Sequence, residues 1–371
     1  MTHEFDTGLH LLIEPSGIAL TEDEKRTIES LQPVGVMFRK RNFVEGPYET
    51  WFPVYEKLHN DISELIHRDH IIFSIDHEGG RVIRPPLPIT RFPYPARWSD
   101  KVQEVSIAIA IELTSLGINL SFSPTVDIHS NPNNPVINER SFGRTAEEVI
   151  SRSIVHADTL RNAHICPCVK HFPGHGDTSS DSHTSLPILQ FSKEQLRKRE
   201  LVPFVAHIRN GIDMIMSSHI LFPEIDSKYP ATLSRAIMKG LLRDDLGFDG
   251  VIIADALGMA GISSFLSSSA EGSKLALQAN LDIFLMVGDT VTMADSRRLK
   301  AEIESHLKDG HINEHEFRES QNRIQSLLST LTDHLPYTLS KEIFASHHAL
   351  AQSLVDSQPW TGFELVAPGF E

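Results

Sequence analysis

An α/β chain closed into a (β/α)8, TIM-type barrel with extra C-terminal helices is the fold this sequence predicts, and three observations predict it. Eight short apolar, β-branched segments recur, at 9–13, 34–38, 71–75, 118–123, 166–169, 214–217, 251–254 and 283–287. Each is followed by a longer segment with helical periodicity, and strand–helix–strand alternation implies parallel pairing. No Gly-x-Gly-x-x-Gly follows the first strand, which removes one reason to prefer the alternative, an open doubly wound sheet.

Taken in order, the helices carry start signals. Thr21-x-x-Glu24, Thr145-x-x-Glu148 and Ser192-x-x-Gln195 are capping boxes, in which a hydroxyl and a long polar side chain satisfy the free amides of a first turn. Segments 85–95 and 263–269 read as loops, being rich in Pro and Ser respectively. From Asn313 the pattern is only helical: Phe317, Ile324, Leu327, Leu328 and Leu331 share one face, then Ile343, Phe344, His347, Leu350, Ala351 and Leu354 another. The division expected is a catalytic barrel over 1–310, then helices packed on its outside and an irregular tail over 311–371.

A chain of 371 residues, 22% charged and 40% apolar, buries a full core in one large barrel or two average domains. Its 49 acidic against 34 basic residues give a net charge of -15, which argues against nucleic acid as a partner. The first six residues lack the basic and apolar regions of a signal peptide, and no apolar run approaches the roughly 18 residues of a membrane span. Cys166 and Cys168 alternate along one strand, where a disulfide would be strained and two sulfurs are too few for structural zinc. Reduced thiols and a cytoplasmic monomer without cofactor or metal are expected.

The reactive residues cluster where a barrel of this kind keeps its active site, at the strand C-termini. The densest stretch is 170–186, beginning Lys170-His171-Phe172-Pro173-Gly174-His175-Gly176-Asp177 and continuing to Asp181-Ser182-His183. A loop this long is rarely idle, and Gly174 and Gly176 allow it to bend. After the third strand comes Asp76-His77-Glu78-Gly79-Gly80-Arg81-Val82-Ile83-Arg84, in which carboxylate and guanidinium suit a hydroxyl-rich ligand. The competing reading is a turn capped by Asp76 and Glu78 with surface arginines, and position alone does not separate the two. Arg140 is either a pocket residue or a solvated loop charge. Asp255 follows the apolar seventh strand with no cation beside it in sequence, so it is either a helix N-cap or a nucleophile. Asp181 and His183 are close enough for the carboxylate to fix the imidazole's tautomer, and such a histidine exchanges protons near its ordinary value of about 6.5. With Asp255, that pair is the minimum kit for glycoside cleavage by double displacement.

The combination of Lys170-His171-Phe172-Pro173-Gly174-His175-Gly176, Asp181-Ser182-His183, Asp76-x-Glu78-Gly79-Gly80-Arg81, Arg140-Ser141-Phe142-Gly143 and the strand bearing Asp255 resembles the family 3 β-N-acetylglucosaminidases of bacterial cell-wall recycling, the NagZ type. Arg41-Asn42 is similar to that family too. The resemblance spans about 9–289 and implies a barrel enzyme that removes terminal, non-reducing β-linked N-acetylglucosamine from muropeptides with retention. It implies Asp255 as nucleophile, His183 as acid/base with Asp181 as its partner, and Asp76, Arg84, Arg140, Lys170 and His171 as sugar-binding residues. Ala254 and Ala256 depart from the family pattern, which has a hydroxyl residue and an acid there, so the nucleophile's surroundings are expected to differ.

Three alternatives accompany this reading. His171, His175, Asp177, Asp181 and His183 are of metal-ligand type, although no His-x-His or His-Glu-x-x-His occurs. A sugar-binding protein without turnover is suggested by the two alanines. A histidine base carries no negative charge, so phosphate rather than water is a further candidate acceptor.

Overall fold

The computed structural model describes residues 5–180, 185–266 and 270–356. Its strands are β1 (Leu11–Ile13), β2 (Gly35–Phe38), β3 (Ile72–Ile75), β4 (His77–Gly79), β5 (Val82–Ile83), β6 (Leu120–Ser121), β7 (Cys166–Phe172), β8 (Met214–Ser217), β9 (Val251–Ile253) and β10 (Phe284–Met286). Eight of them form one parallel sheet in the order β10-β1-β2-β3-β6-β7-β8-β9. A parallel bridge between Ile253 and Ile283 joins its two ends and closes the barrel. The antiparallel pair β4–β5 is a separate hairpin that follows β3 directly.

Side chains alternate across the barrel wall, as period two requires. Leu12, Met37, Ile72, Val251 and Leu285 fill the interior with Phe122 and Met216, while their neighbours Leu11, Val36, Phe73, Ile252 and Phe284 pack outward against the helices. Those helices are α1 (Glu22–Leu31), α2 (Tyr48–Leu65), α3 (Val102–Ser115), α4 (Ala146–Asn162), α5 (Lys193–Lys198), α6 (Leu201–Arg209), α7 (Ala260–Leu266), α8 (Glu271–Gln278), α9 (Met293–Lys308), α10 (Glu314–Thr330) and α11 (Lys341–Asp356). A π-helical segment, Ala236–Asp245, stands between β8 and β9.

The caps at Thr21 and Ser192 close reciprocally with Glu24 and Gln195. At Thr145 the hydroxyl accepts from the Glu148 amide, but the Glu148 carboxylate takes the Arg144 amide instead. Among the described residues no helix is long and apolar enough to cross a membrane. Cys166 and Cys168 are buried and unpaired.

Four expectations change. The first strand begins at Leu11, because Thr7–His10 forms a 3-10 turn capped by Asp6. The strand expected over 166–169 continues to Phe172, extended by a bridge from Lys170 to Thr125. Residues 263–266, read as loop, belong to α7, where Ile262 and Phe265 face the core one turn apart and outweigh the modest helix cost of serine. Finally, α10 does not lie on the outer wall: Ile324, Leu327, Leu328 and Leu331 join the cluster inside the barrel and plug its N-terminal end. An apolar helix face is buried best where the open barrel would otherwise expose its own interior.

Candidate active site

The site is built at the opposite end, on a buried ion network. The turn after β3 and the short hairpin β4–β5 place Asp76, Glu78 and Arg84 above the barrel mouth, while β7 delivers Lys170 from across the sheet. Lys170 Nζ lies 2.5 Å from Glu78 Oε1 and 3.4 Å from Asp76 Oδ1. Arg140, in a 3-10 turn after β6, grips Glu78 with both arms of its guanidinium at 2.9 and 3.0 Å. Arg84 holds Asp76 Oδ2 at 2.9 and 3.2 Å. Burial alone would raise both carboxyls, but Arg140 and Lys170 hold Glu78 well below its ordinary range, and Lys170 and Arg84 hold Asp76 below its own. Burial opposes the charge on Lys170, which the same two acids more than restore. The network is therefore ionised at neutral pH, and its free lone pairs and N–H groups are oriented donors and acceptors for hydroxyls.

His171, the last residue but one of β7, is oriented from below. Its Nδ1 lies 2.7 Å from Asp127 Oδ2, and Asp127 also accepts from the His171 and His175 amides at 3.1 and 2.7 Å. Burial would raise Asp127, and the neighbouring imidazoles bring it below the usual value. The segment that follows is pinned at its start. Asn134 donates to the carbonyls of His175 and Gly176 and lies 3.1 Å from Thr178 Oγ1, while Ser130 donates to Asp177 Oδ1 at 2.8 Å. Gly176 answers a contact here: a Cβ would sit 1.7 Å from the Ile128 carbonyl oxygen. Glycine at 176 is thus a close-packing requirement, whereas Gly174, at φ +131°, has the backbone freedom expected of it.

Asp255 follows β9 and precedes α7 by five positions, so it is not that helix's N-cap. Its Oδ1 accepts from the Ala256 amide at 2.8 Å. Burial would raise the carboxyl, but His171, His219, the Ala256 amide and Lys170 bring it below 3.8, leaving an anion at neutral pH. His219, fully buried after β8, lies 2.9 Å from Thr232 Oγ1 and 3.2 Å from the Ala256 carbonyl, fixing the turn that carries Asp255.

One cavity of about 590 Å³ is lined by Asp76, Arg84, Arg140, Lys170, His171 and Asp255 together, with Met37, Phe122, Met216 and Leu285 among its apolar walls. That size suits a small organic ligand. Asp181 and His183 lie outside the described residues. Among the described residues no group of three or more His, Cys, Asp or Glu is gathered to hold a metal. His171 is engaged by Asp127, His175 Nδ1 by Thr178, and Asp177 by Ser130 and Arg199.

Sequence reasoning missed Glu78 as the hub of the network, Asp127 beneath His171, Asn134 and His219. His219 had the signal that singled out Asp255, a polar residue just past an apolar strand; Asp127, six positions beyond the end of β6, and Asn134 had none.

Residues 11–327 match the model of the glycosyl hydrolase family 3 N-terminal domain. The chain is 37% identical over 285 residues to beta-hexosaminidase A of Pseudoalteromonas piscicida, covering 70% of this chain but 48% of that protein, about half its length. Among solved structures it is similar to a family 3 beta-N-acetylglucosaminidase of Paenibacillus, with TM-score 0.83 and 30% identity over 95% of this chain and 68% of that one. NagZ from Neisseria gonorrhoeae, solved with N-trifluoroacetyl-D-glucosamine, aligns with TM-score 0.74 and 28% identity over 93% and 97% of the two chains. Together with the closed barrel and the cavity at its C-terminal mouth, these matches identify the chain as a member of glycosyl hydrolase family 3.

Proposed function

We propose that this chain is a retaining exo-β-N-acetylglucosaminidase that removes terminal, non-reducing β-linked N-acetylglucosamine from muropeptides in peptidoglycan recycling. The observation that carries the reading is a cavity in which a carboxylate held ionised, Asp255, faces the hydroxyl-gripping network of Asp76, Arg84, Arg140, Lys170 and His171. Asp255 attacks the anomeric carbon and forms a glycosyl ester as the aglycone leaves; water then cleaves the ester with the configuration retained. The proton passes to the leaving oxygen from His183, oriented by Asp181, and returns to it from the incoming water. The names borne by the relatives support the N-acetylhexosamine, and the NagZ likeness supports the muropeptide. A monomer acting in the cytoplasm, without nucleic acid, membrane or cofactor, completes the proposal; two buried unpaired thiols support the compartment.

The test is hydrolysis of a chromogenic β-N-acetylglucosaminide by the wild type and by Asp255→Asn. The variant is expected to lose about 1,000-fold or more in kcat while still binding N-acetylglucosamine, and a slow fluorosugar reagent is expected to label the peptide containing Asp255. Turnover within tenfold of wild type, or a label on another carboxylate, would refute the assignment. The same assay with and without added phosphate separates hydrolysis from transfer to phosphate, and a chelator tests the metal alternative.

A further inference from the structure

The family match ends at residue 327, yet α11, beyond it, is tied to the segment that carries Arg84. His347 Nδ1 lies 2.7 Å from Glu112 Oε1, and Glu112, on α3, is fully buried. The same carboxyl accepts from Thr90 twice, from its amide at 2.8 Å and from its hydroxyl at 2.5 Å. At the next residue His348 Nε2 lies 2.8 Å from the Pro88 carbonyl, and further along the helix Ser353 accepts from Lys101 at 2.8 Å. Thr90 and Pro88 belong to the stretch 84–94, which leaves the site at Arg84 and returns beneath it, where the Phe92 carbonyl accepts the Gly80 amide at 2.8 Å. Two tryptophans stake the same stretch, Trp51 to the Leu87 carbonyl and Trp98 to the Pro93 carbonyl, each at 2.7 Å. Those two come from within the family-matched barrel; the third anchor comes from α11.

Glu112 is the joint. A carboxyl with no solvent needs its hydrogen-bond partners, and among the described residues they come from two places, the loop through Thr90 and the C-terminal helix through His347. The joint also adjoins the site itself: the charges of Glu112 and Arg91 act on His77, which stands between Asp76 and Glu78, is fully buried and finds no hydrogen-bond partner at either ring nitrogen among the described residues. Removing the His347 donor leaves Glu112 with Thr90 as its remaining hydrogen-bond partner among the described residues, so the change is passed to the loop that carries Thr90. We propose that His347 and His348 of α11 are positioning residues for the sugar-binding arm 84–94, holding Arg84 in register with Asp76 through Glu112 and Pro88. This rests on the reading of Arg84 and Asp76 as sugar-binding residues given above.

The full-length chain carrying His347→Leu is compared with wild type and with His347→Gln, which keeps a neutral N–H donor. Expected for His347→Leu is a three- to tenfold rise in KM for a chromogenic β-N-acetylglucosaminide with kcat within twofold, because the arm grips the sugar equally before and during reaction. Amide exchange at Thr90 is expected to speed at least tenfold while amides in β2 and β7 keep their rates, and His347→Gln is expected to restore both measures to within about twofold. An unchanged KM with unchanged exchange at Thr90, exchange that rises uniformly through the barrel, or equal defects in the Leu and Gln variants would each overturn the proposal. If the wild type failed to cleave the glycoside the activity reading would fall, while the exchange comparison would still decide whether α11 holds the arm.

Discussion

Beneath the cavity, two buried acids meet opposite fates. Asp127 receives two amides and an imidazole and is held ionised. Glu200, under Gly174, has no partner for Oε2 among the described residues, and burial lifts its carboxyl to about 7 although Arg199 approaches Oε1 at 2.6 Å. Burial prevails because the Arg199 side chain is 43% exposed and shared with Asp177. The folded value exceeds the ordinary 4.5, so the folded chain binds that proton more tightly and stability falls as pH rises from about 4.5 to about 7. Glu200→Gln removes this penalty: relative to wild type, it is expected to gain up to about 3 kcal/mol between about pH 4 and pH 8, read from melting curves. A difference that stays constant with pH would show that Glu200 is ionised in the folded chain at neutrality. At this scale, sequence position was enough to put Asp255, Lys170 and His171 at the cavity they line, since each ends or follows an apolar strand. It did not separate the pocket reading of Arg140 from the solvated one, because the answer depends on Glu78, 62 positions away.

Elements show where local pattern holds and where it yields. The capping boxes at Thr21 and Ser192 formed as their spacing predicts, since all partners lie within one turn. The serines at 263 and 264 pointed to a loop, and long-range packing of Ile262 and Phe265 made a helix. The amphipathic face of α10 was visible in sequence, but not the surface it covers. Because Ile324 is fully buried in the cluster at the barrel's N-terminal end, Ile324→Ala is expected to cost about 2–5 kcal/mol in denaturant unfolding. Its KM and kcat are expected to stay within twofold of wild type at temperatures where it is folded, the site being at the other end of the barrel. A loss below about 1 kcal/mol would mean that α10 is an outside helix after all.

Across the whole molecule, the two barrel ends divide stability from chemistry. At the N-terminal end, Asp282, just before β10, is fully buried and accepts from Arg243 and Arg323 at 2.5 and 2.7 Å, from Ser320 at 2.6 Å and from the Ile252 amide at 2.7 Å. It thereby joins β9 and β10 to the π-helical segment and to α10. Burial would raise its carboxyl, and the two arginines hold it below the ordinary value. Asp282→Asn leaves two guanidinium groups without their counter-charge and is expected to destabilise by about 3–5 kcal/mol, with kcat retained. Equal stability of variant and wild type would disprove a structural role for this end. By itself the sequence determined the alternation of strand and helix, from which a barrel was expected, and the strand ends at which reactive residues gather, because hydrophobic period and capping act over a few residues. Only the tertiary structure decided which charges meet, as in Lys170 with Glu78, Arg140 with Glu78 and His347 with Glu112, and where α10 and α11 dock. Those partners come from separate elements, and a charge survives burial only when folding delivers its counterpart.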